Sequence, residues 1–378
     1  MEIRHTPVLL VCEYATLNGG ERSMLSTLPG VGEARFRPIV AAPSQGPLAD
    51  AIRAQGVELV PFEPRDPAGR RRPVEQLREE LAGRIRQLGP KLVHANSLAT
   101  GRLLGPVAAG LGVPSVAHLR DIVKLSSAAI ADLNCHKRLL AVSEATRRFH
   151  VAQGLAAEKT QVLYNGVDLQ QFRPRPATGY LHRELGLPPG VPLLGAIGQI
   201  SLRKGLDVLV RAAQSFCART EARLLMVGER FSGKDESREF EAQLRRAAEG
   251  PLCGRLHLLG PRADVDRLLN ELTLLVHPAR QEPLGRVLLE AGAAGVAVIA
   301  TDVGGTREIF LPGCEAARLT APDDPAALAV AVEDLLSDAA ARARLGVMAR
   351  RRIEEAFDRR RATLALVEHY GELAEKQG

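Results

Sequence analysis

Residues 274–309, LLVHPARQEPLGRVLLEAGAAGVAVIATDVGGTREI, hold the key to the chain. The short apolar run Leu274–His277 reads as a strand. It ends at a proline-containing loop, and a helix is expected from near Glu282 through PLGRVLLEAGAAG to a glycine-rich end. Pro283 suits the first helical turn, where its missing N–H costs nothing. A second apolar run, Val296–Ala300, then a Gly304–Gly305 turn and a helix opened by Thr306 repeat the scheme. Strand–helix alternation of this kind builds parallel sheets covered by helices on both faces.

The same alternation extends in both directions. Expected strands are Val8–Cys12, Pro38–Ala41, Glu58–Pro61, Leu92–Ala95, Ser115–His118, Leu139–Val142 and Gln161–Tyr164. A second series follows at Leu193–Gly198, Arg223–Val227, Arg255–Leu258, Leu274–His277, Val296–Ala300 and Ala317–Leu319. Helical periodicity fills gaps such as Gly205–Arg219 and Asp264–Leu272. Between the two series lies a Pro/Gly-rich stretch without a good strand, which puts a domain junction near residues 173–192. The expected fold class is α/β: two doubly wound, Rossmann-like domains facing an interdomain cleft. The first spans 1–175 and the second 176–358. Ligands in such sheets bind beyond the carboxyl ends of the strands.

The 378 residues exceed one ordinary core, and 46% apolar with 25% charged residues is a normal globular balance. Tryptophan is absent and aromatics are 3%, which argues against stacking platforms for nucleic acid. The net charge of +6 suits an anionic ligand or peripheral contact with an acidic membrane surface. Arg70–Arg72 and the group Lys137, Arg138, Arg147 and Arg148 read as solvated surface or as contacts to an acidic partner. The 5 cysteines lack zinc spacing and read as buried, reduced thiols. The N-terminal stretch reads as a first strand, not a secretory leader, and the apolar stretches near 103–119 and 185–202 are too broken by Gly and Pro to span a membrane. A cytoplasmic protein is expected.

Chemistry-bearing residues cluster just after strands. An N-terminus at Leu284, Gly285 and Arg286 would offer backbone N–H groups to an anion. Glu290 lies roughly 12 Å further along the helix axis from Glu282, and carboxylates are good acceptors for sugar hydroxyls. A capped helix with an ordinary surface Glu is the competing reading. Lys204, in GQISLRKG, suits a phosphate-binding ammonium or a solvated lysine. Gly304–Gly305 is either a plain turn or a second backbone approach to the ligand. Gly19 and Gly20, in NGGER, precede a helix and suit backbone contact with phosphate. His118 ends a strand, where a catalytic group belongs. No P-loop or GxGxxG is present. Asp264–Asp266 has D-x-D spacing, but Asp264 reads as a helix N-cap and Asp266 as a first-turn acid, so no metal site is expected.

The combined order NGGER, VSEATRRF, LYNGVDLQQF, GQISLRKG and VHPARQEPLGRVLLEAGAAGVAVIATDVGGTREI resembles glycosyltransferase family 4, over nearly the whole chain. The resemblance implies the GT-B fold and a retaining transfer from a nucleotide-diphosphate sugar (UDP-, GDP- or ADP-linked) to a hydroxyl acceptor. It implies catalytic roles for His118, Glu282 and Lys204, with His118 at the sugar's reacting end and Glu282 on its hydroxyls. It assigns Glu290 to the ribose and Lys204 to the diphosphate, helped by Leu284, Gly285, Arg286, Gly19 and Gly20. It brings a C-terminal helix, about 359–378, back onto the first domain. The family often has Arg where Gln199 stands, and Arg203 is the neighbouring cation able to compensate. EPLG stands for the more familiar EPFG. A nucleotide-sugar epimerase or hydrolase on the same scaffold, or a non-catalytic nucleotide-sugar-binding protein, are the alternatives.

Overall fold

The structure is a computed structural model and describes residues 5–375. The first four residues of the N-terminal stretch and the last three of the expected C-terminal helix lie outside that range. The chain divides into two compact units, one of residues up to Gly166 together with those from Arg359 onward, the other Val167–Asp358.

The first unit holds strands β1 (Thr6–Val11), β2 (Phe36–Ala42), β3 (Glu58–Pro61), β4 (Leu92–Ala95), β5 (Ser115–Leu119), β6 (Arg138–Ala141) and β7 (Thr160–Val162). They form one parallel sheet in the order β3-β2-β1-β4-β5-β6-β7. Alternation along β1 decides which layer each residue joins. Leu9 and Val11 share a core with Leu77, Leu81 and Leu104 of the helices Val74–Leu88 and Leu98–Gly110. Val8, Leu10 and Cys12 share another with Met24, Leu28, Leu366 and Tyr370 of the helices Gly19–Glu33 and Arg359–Glu375. Each fully buried aliphatic side chain contributes about 1.5–3 kcal/mol. The C-terminal helix is thus core material for this unit: Tyr370 is fully buried and meets Phe36 edge-on at 5.5 Å.

The second unit holds β8 (Leu193–Ile197), β9 (Arg223–Val227), β10 (Leu256–Gly260), β11 (Leu274–His277), β12 (Val298–Thr301) and β13 (Arg318–Thr320), again parallel, in the order β10-β9-β8-β11-β12-β13. Every expected strand forms, with ends shifted by a few residues. Val296, expected in β12, instead donates its N–H to the Ala291 carbonyl and closes the preceding helix, so the strand opens at Val298. The chain enters this unit at Val167, not at 176. Val167 N–H donates to Phe357 O at 2.8 Å. Arg175 reaches Asp266 at 2.9 Å and Asn270 at 2.7 Å. The buried Glu271 carboxylate accepts from Thr178 and Gly179 N–H at 2.6 and 2.8 Å.

Candidate functional site

In the second unit the strand order reverses between β8 and β11. Segments 198–205 and 278–285 follow these two strands, so they flank the switch point where such sheets bind ligands. Arg280 locks the two loops together. Its N–H donates to Arg203 O at 2.9 Å, and its guanidinium reaches Leu202 O at 2.8 Å and both Asp207 carboxylate oxygens at 2.8 and 2.7 Å. Gly205 has φ +62°, and a Cβ there would lie 1.9 Å from Pro278 O, so only glycine lets these loops close.

This packing brings Lys204 to Glu282. Lys204 Nζ donates to Glu282 Oε2 at 2.5 Å, and His277 Nε2, at the end of β11, lies 2.8 Å from the same oxygen. The Lys204 and Glu282 side chains are 13% and 6% exposed. Burial alone would push the Glu282 carboxyl up. The Lys204 ammonium, the His277 hydrogen bond and the Arg203 charge outweigh it and hold the group well below the usual carboxylate range. Burial and the nearby Lys204 lower His277, against the pull of Glu282, so His277 is a neutral donor to the carboxylate. Arg203 Nη1 reaches Gln281 O at 3.3 Å. Gln199 makes no side-chain hydrogen bond among the described residues.

The helix expected from Glu282 begins at Arg286 and runs to Ala293. Pro283 therefore sits in the loop and not in the first turn. Gly285 is the N-cap at φ +103°, and Leu284 precedes it. The expected donor group at Leu284–Arg286 is a turn entering a helix. What displaces the start is the neighbouring glycine pair. A Cβ at Gly304 would lie 2.0 Å from Glu282 O and one at Gly305 2.4 Å from Pro283 O, while Gly305 N–H donates to Glu282 O at 2.9 Å. The close approach these glycines permit is to the protein's own backbone. Glu290 is 8% exposed and accepts from Arg286 Nε at 2.7 Å, so the side chain of Arg286 holds it.

In the first unit, Gly19 and Gly20 are the first two residues of their helix, behind Asn18 as N-cap. A Cβ on Gly19 would meet open space, whereas one on Gly20 would lie 2.9 Å from Arg120 Cδ. His118 in β5 is 4% exposed. Its Nδ1 lies 2.8 Å from His94 Nε2 and 3.2 Å from Arg120 Nη2. Arg120 also donates to Asn96 O and Oδ1 at 2.9 and 2.8 Å, and to Asn165 Oδ1 of NGVD at 2.9 Å. These groups line a pocket of about 20 Å³, room for roughly one water molecule.

His94, Asn96, Arg120, His277 and Arg280 escape the motif reading. His277 could have been found by the rule that singles out His118, since it too ends a strand. Ser201 Oγ, on the loop after β8, and Thr306 Oγ1, at the start of the short helix Thr306–Ile309, are buried without a hydrogen-bond partner among the described residues. Asp264 precedes its helix but its carboxylate makes no cap bond. It accepts from Arg262 and from Tyr180 OH at 2.8 Å, while Asp266 takes Arg175. Arg138 pairs with Glu372 and Arg147 with Glu144. Only Cys12 and Cys217 are buried; Cys253 is exposed and Cys135 and Cys314 are half-buried. No described helix is long and apolar enough to cross a membrane.

Residues 17–171 match the family model "Glycosyltransferase Family 4" and residues 191–338 match "Glycosyl transferases group 1". The chain is 33% identical over 233 residues to alpha-maltose-1-phosphate synthase of Mycobacterium tuberculosis, covering 58% of this chain and 59% of that protein. It is 28% identical over 323 residues to D-inositol 3-phosphate glycosyltransferase 1 of Catenulispora acidiphila, covering 79% and 77%. The chain thus spans little more than half the length of the first of these relatives. Among solved structures, Anabaena Alr3699/HepE in complex with UDP-glucose superposes with a TM-score of 0.86 at 21% identity, over 97% of this chain and 100% of that one. WaaG, a glycosyltransferase involved in lipopolysaccharide biosynthesis, gives 0.73 at 19%, over 96% and 98%. With its two doubly wound parallel sheets of seven and six strands, the chain belongs to glycosyltransferase family 4 and has the GT-B fold.

Proposed function

We propose that the protein is a retaining, hexosyltransferase-like enzyme that moves a sugar from a nucleotide-diphosphate sugar to a hydroxyl acceptor. The observation that carries this reading is the buried Lys204–Glu282–His277 cluster at the switch point of the second unit. It keeps a full cation and a full anion out of water beside a helix N-terminus that carries Glu290 one turn on. Family membership supports the reaction class, and the HepE complexes with UDP-glucose and with UDP and glucose support the donor class.

In this reading the bond between the sugar's anomeric carbon and the diphosphate oxygen breaks, and the acceptor oxygen bonds that carbon on the same face. The acceptor proton goes to a phosphate oxygen of the leaving group. Charge develops on the diphosphate, so preorganised cations there lower the barrier, by about 2.7–4 kcal/mol for a good donor. Lys204 supplies that cation, with Arg203 beside it; no metal is invoked. An ammonium has three donors, so Lys204 can keep Glu282 while it meets a phosphate. Glu282 Oε1, with no protein partner among the described residues, is the oxygen available to sugar hydroxyls. Glu290 takes the ribose hydroxyls. In the first unit, His118 keeps its role toward the sugar's reacting end, and Gly19 and Gly20 toward phosphate.

The test is thermal-shift binding of the wild type and Glu290→Ala to UDP, GDP, ADP and their common sugar conjugates. One nucleotide stabilising the wild type and not the variant is expected. No shift of the wild type with any of them overturns the reading. NMR couplings at the product's anomeric centre then check retention: an α-linked donor must give an α-linked product.

A further inference from the structure

The geometry points to a positioning relay: Tyr370 and His94 hold His118 with its proton on Nε2, so that this ring meets its ligand as a hydrogen-bond donor. The inference rests on the reading of His118 as a sugar-contacting group.

The sheet creates the arrangement. In the parallel register His94 of β4 lies opposite Val116 of β5, so His118, two residues on, projects from the same face. The two rings stack at 4.9 Å with 29° between planes. Tyr370 arrives from the helix Arg359–Glu375, edge-on to His94 at 5.7 Å, with its hydroxyl 2.5 Å from His94 Nδ1. All three side chains are 4% exposed or less.

Counting donors fixes the protons. A guanidinium can only donate. Arg120 Nη2 lies 3.2 Å from His118 Nδ1, so that nitrogen carries a lone pair and the proton sits on Nε2. His94 Nε2, 2.8 Å from the same bare nitrogen, must then be a donor. A neutral His94 with its proton there has a bare Nδ1, which accepts from Tyr370 O–H. Every contact in the chain becomes a donor facing an acceptor. Burial, then the Arg120 charge, lower His94 to about 3 and His118 well below its ordinary range, so both rings stay neutral. Burial raises the Tyr370 phenol, which stays protonated. His118 Nε2–H has no protein partner among the described residues. Three polar groups buried in an apolar layer are costly unless each is satisfied, and replacing one by an apolar group leaves its neighbour unpaired.

The experiment is ¹⁵N NMR of the histidine rings in the full chain, wild type and Tyr370→Phe, together with donor-turnover kinetics for both and for His118→Ala. In the wild type, His94 and His118 should each carry their proton on Nε2. In Tyr370→Phe, His94 loses the donor to Nδ1, and both rings should show exchange with a second tautomer. kcat should fall about tenfold, the worth of one such hydrogen bond, with the donor KM within twofold. A His118 protonated on Nδ1 in the wild type overturns the relay without any variant. So does a Tyr370→Phe protein with unchanged ring signals and kcat. Wild-type turnover by His118→Ala instead overturns the sugar-contact reading, and with it the kinetic half of the inference, while the tautomer pattern is read independently.

Discussion

Replacing Lys204 by methionine keeps most of the length of the side chain and removes its charge. Glu282 is then left in a site where it is 5% exposed, with His277 as its remaining donor. Breaking a buried ion pair in this way costs about 3–5 kcal/mol. The lower end applies here, because His277 stays and the carboxyl can take up a proton. For a domain of this size each 1 kcal/mol moves Tm by about 2–4 °C, so a loss of about 3 kcal/mol is about 6–12 °C. The pH dependence has a definite sign. In the wild type the folded-state pKa of Glu282 lies below its unfolded value. Its stabilisation is therefore present above about pH 4.3 and fades as pH falls toward the depressed folded value. In Lys204→Met burial is no longer opposed by the ammonium and the folded pKa rises. The variant should be hurt most at neutral pH, and the gap to wild type should narrow in acid as the carboxyl protonates. Thermal unfolding of both proteins between pH 4.5 and 8 measures this, and Lys204→Met/Glu282→Gln should recover most of the loss. A fall in Tm under about 2 °C, or a gap that does not change with pH, refutes the coupling.

Three further outcomes are expected. Glu290→Gln should weaken nucleotide affinity about tenfold by titration calorimetry, the worth of a charge-assisted bond to a hydroxyl; unchanged affinity removes Glu290 from the site. Gly304→Ala combines φ +52° with a Cβ 2.0 Å from Glu282 O, so urea unfolding should show a loss of more than about 1 kcal/mol, and a neutral result would deny that the glycine pair supports the Glu282 loop. Gly19→Ala meets open space on a helix, so it should fold as well as wild type or gain up to about 1 kcal/mol; if a phosphate approaches that backbone, donor affinity must fall nonetheless, and an unaffected affinity excludes the approach.

The two sheets were legible because parallel strands, covered on both faces, are continuous apolar runs, and Leu92–Ala95 or Leu274–His277 are buried along their whole length. Their ends were less so. Val296 has the composition of a strand residue, yet its N–H is captured by the helix before it. The helix expected from Glu282 starts a turn later, at Arg286, for a related reason. Pro283 does suit a first turn locally, but the Gly304–Gly305 pair, distant in sequence, claims the Glu282 carbonyl. Turn residues report local preference, and here a tertiary contact decides. The Pro/Gly-rich stretch suggested a junction near 173–192, whereas Arg175, Thr178 and Gly179 bond to the second unit through Asp266, Asn270 and Glu271.

The site residues were legible one at a time but not as pairs. Lys204 and Glu282 are 78 residues apart, His94 and Tyr370 are 276, and no spacing rule reaches that far. The pairing changes what the two carboxylates of EPLGRVLLE mean. A decorative ion pair on a helix surface would sit in water and contribute about 0–1 kcal/mol. Glu282 and Glu290 are instead 5% and 8% exposed, each against its own cation. A buried ion pair is seldom more stable than apolar side chains of the same volume, so stability alone gives little reason for charge in this place. A lysine at the carboxyl edge of the sheet, beside a buried carboxylate, is instead what the proposed contact with an anionic ligand needs. On that ground the pairing of Lys204 with Glu282 strengthens the case for a diphosphate site.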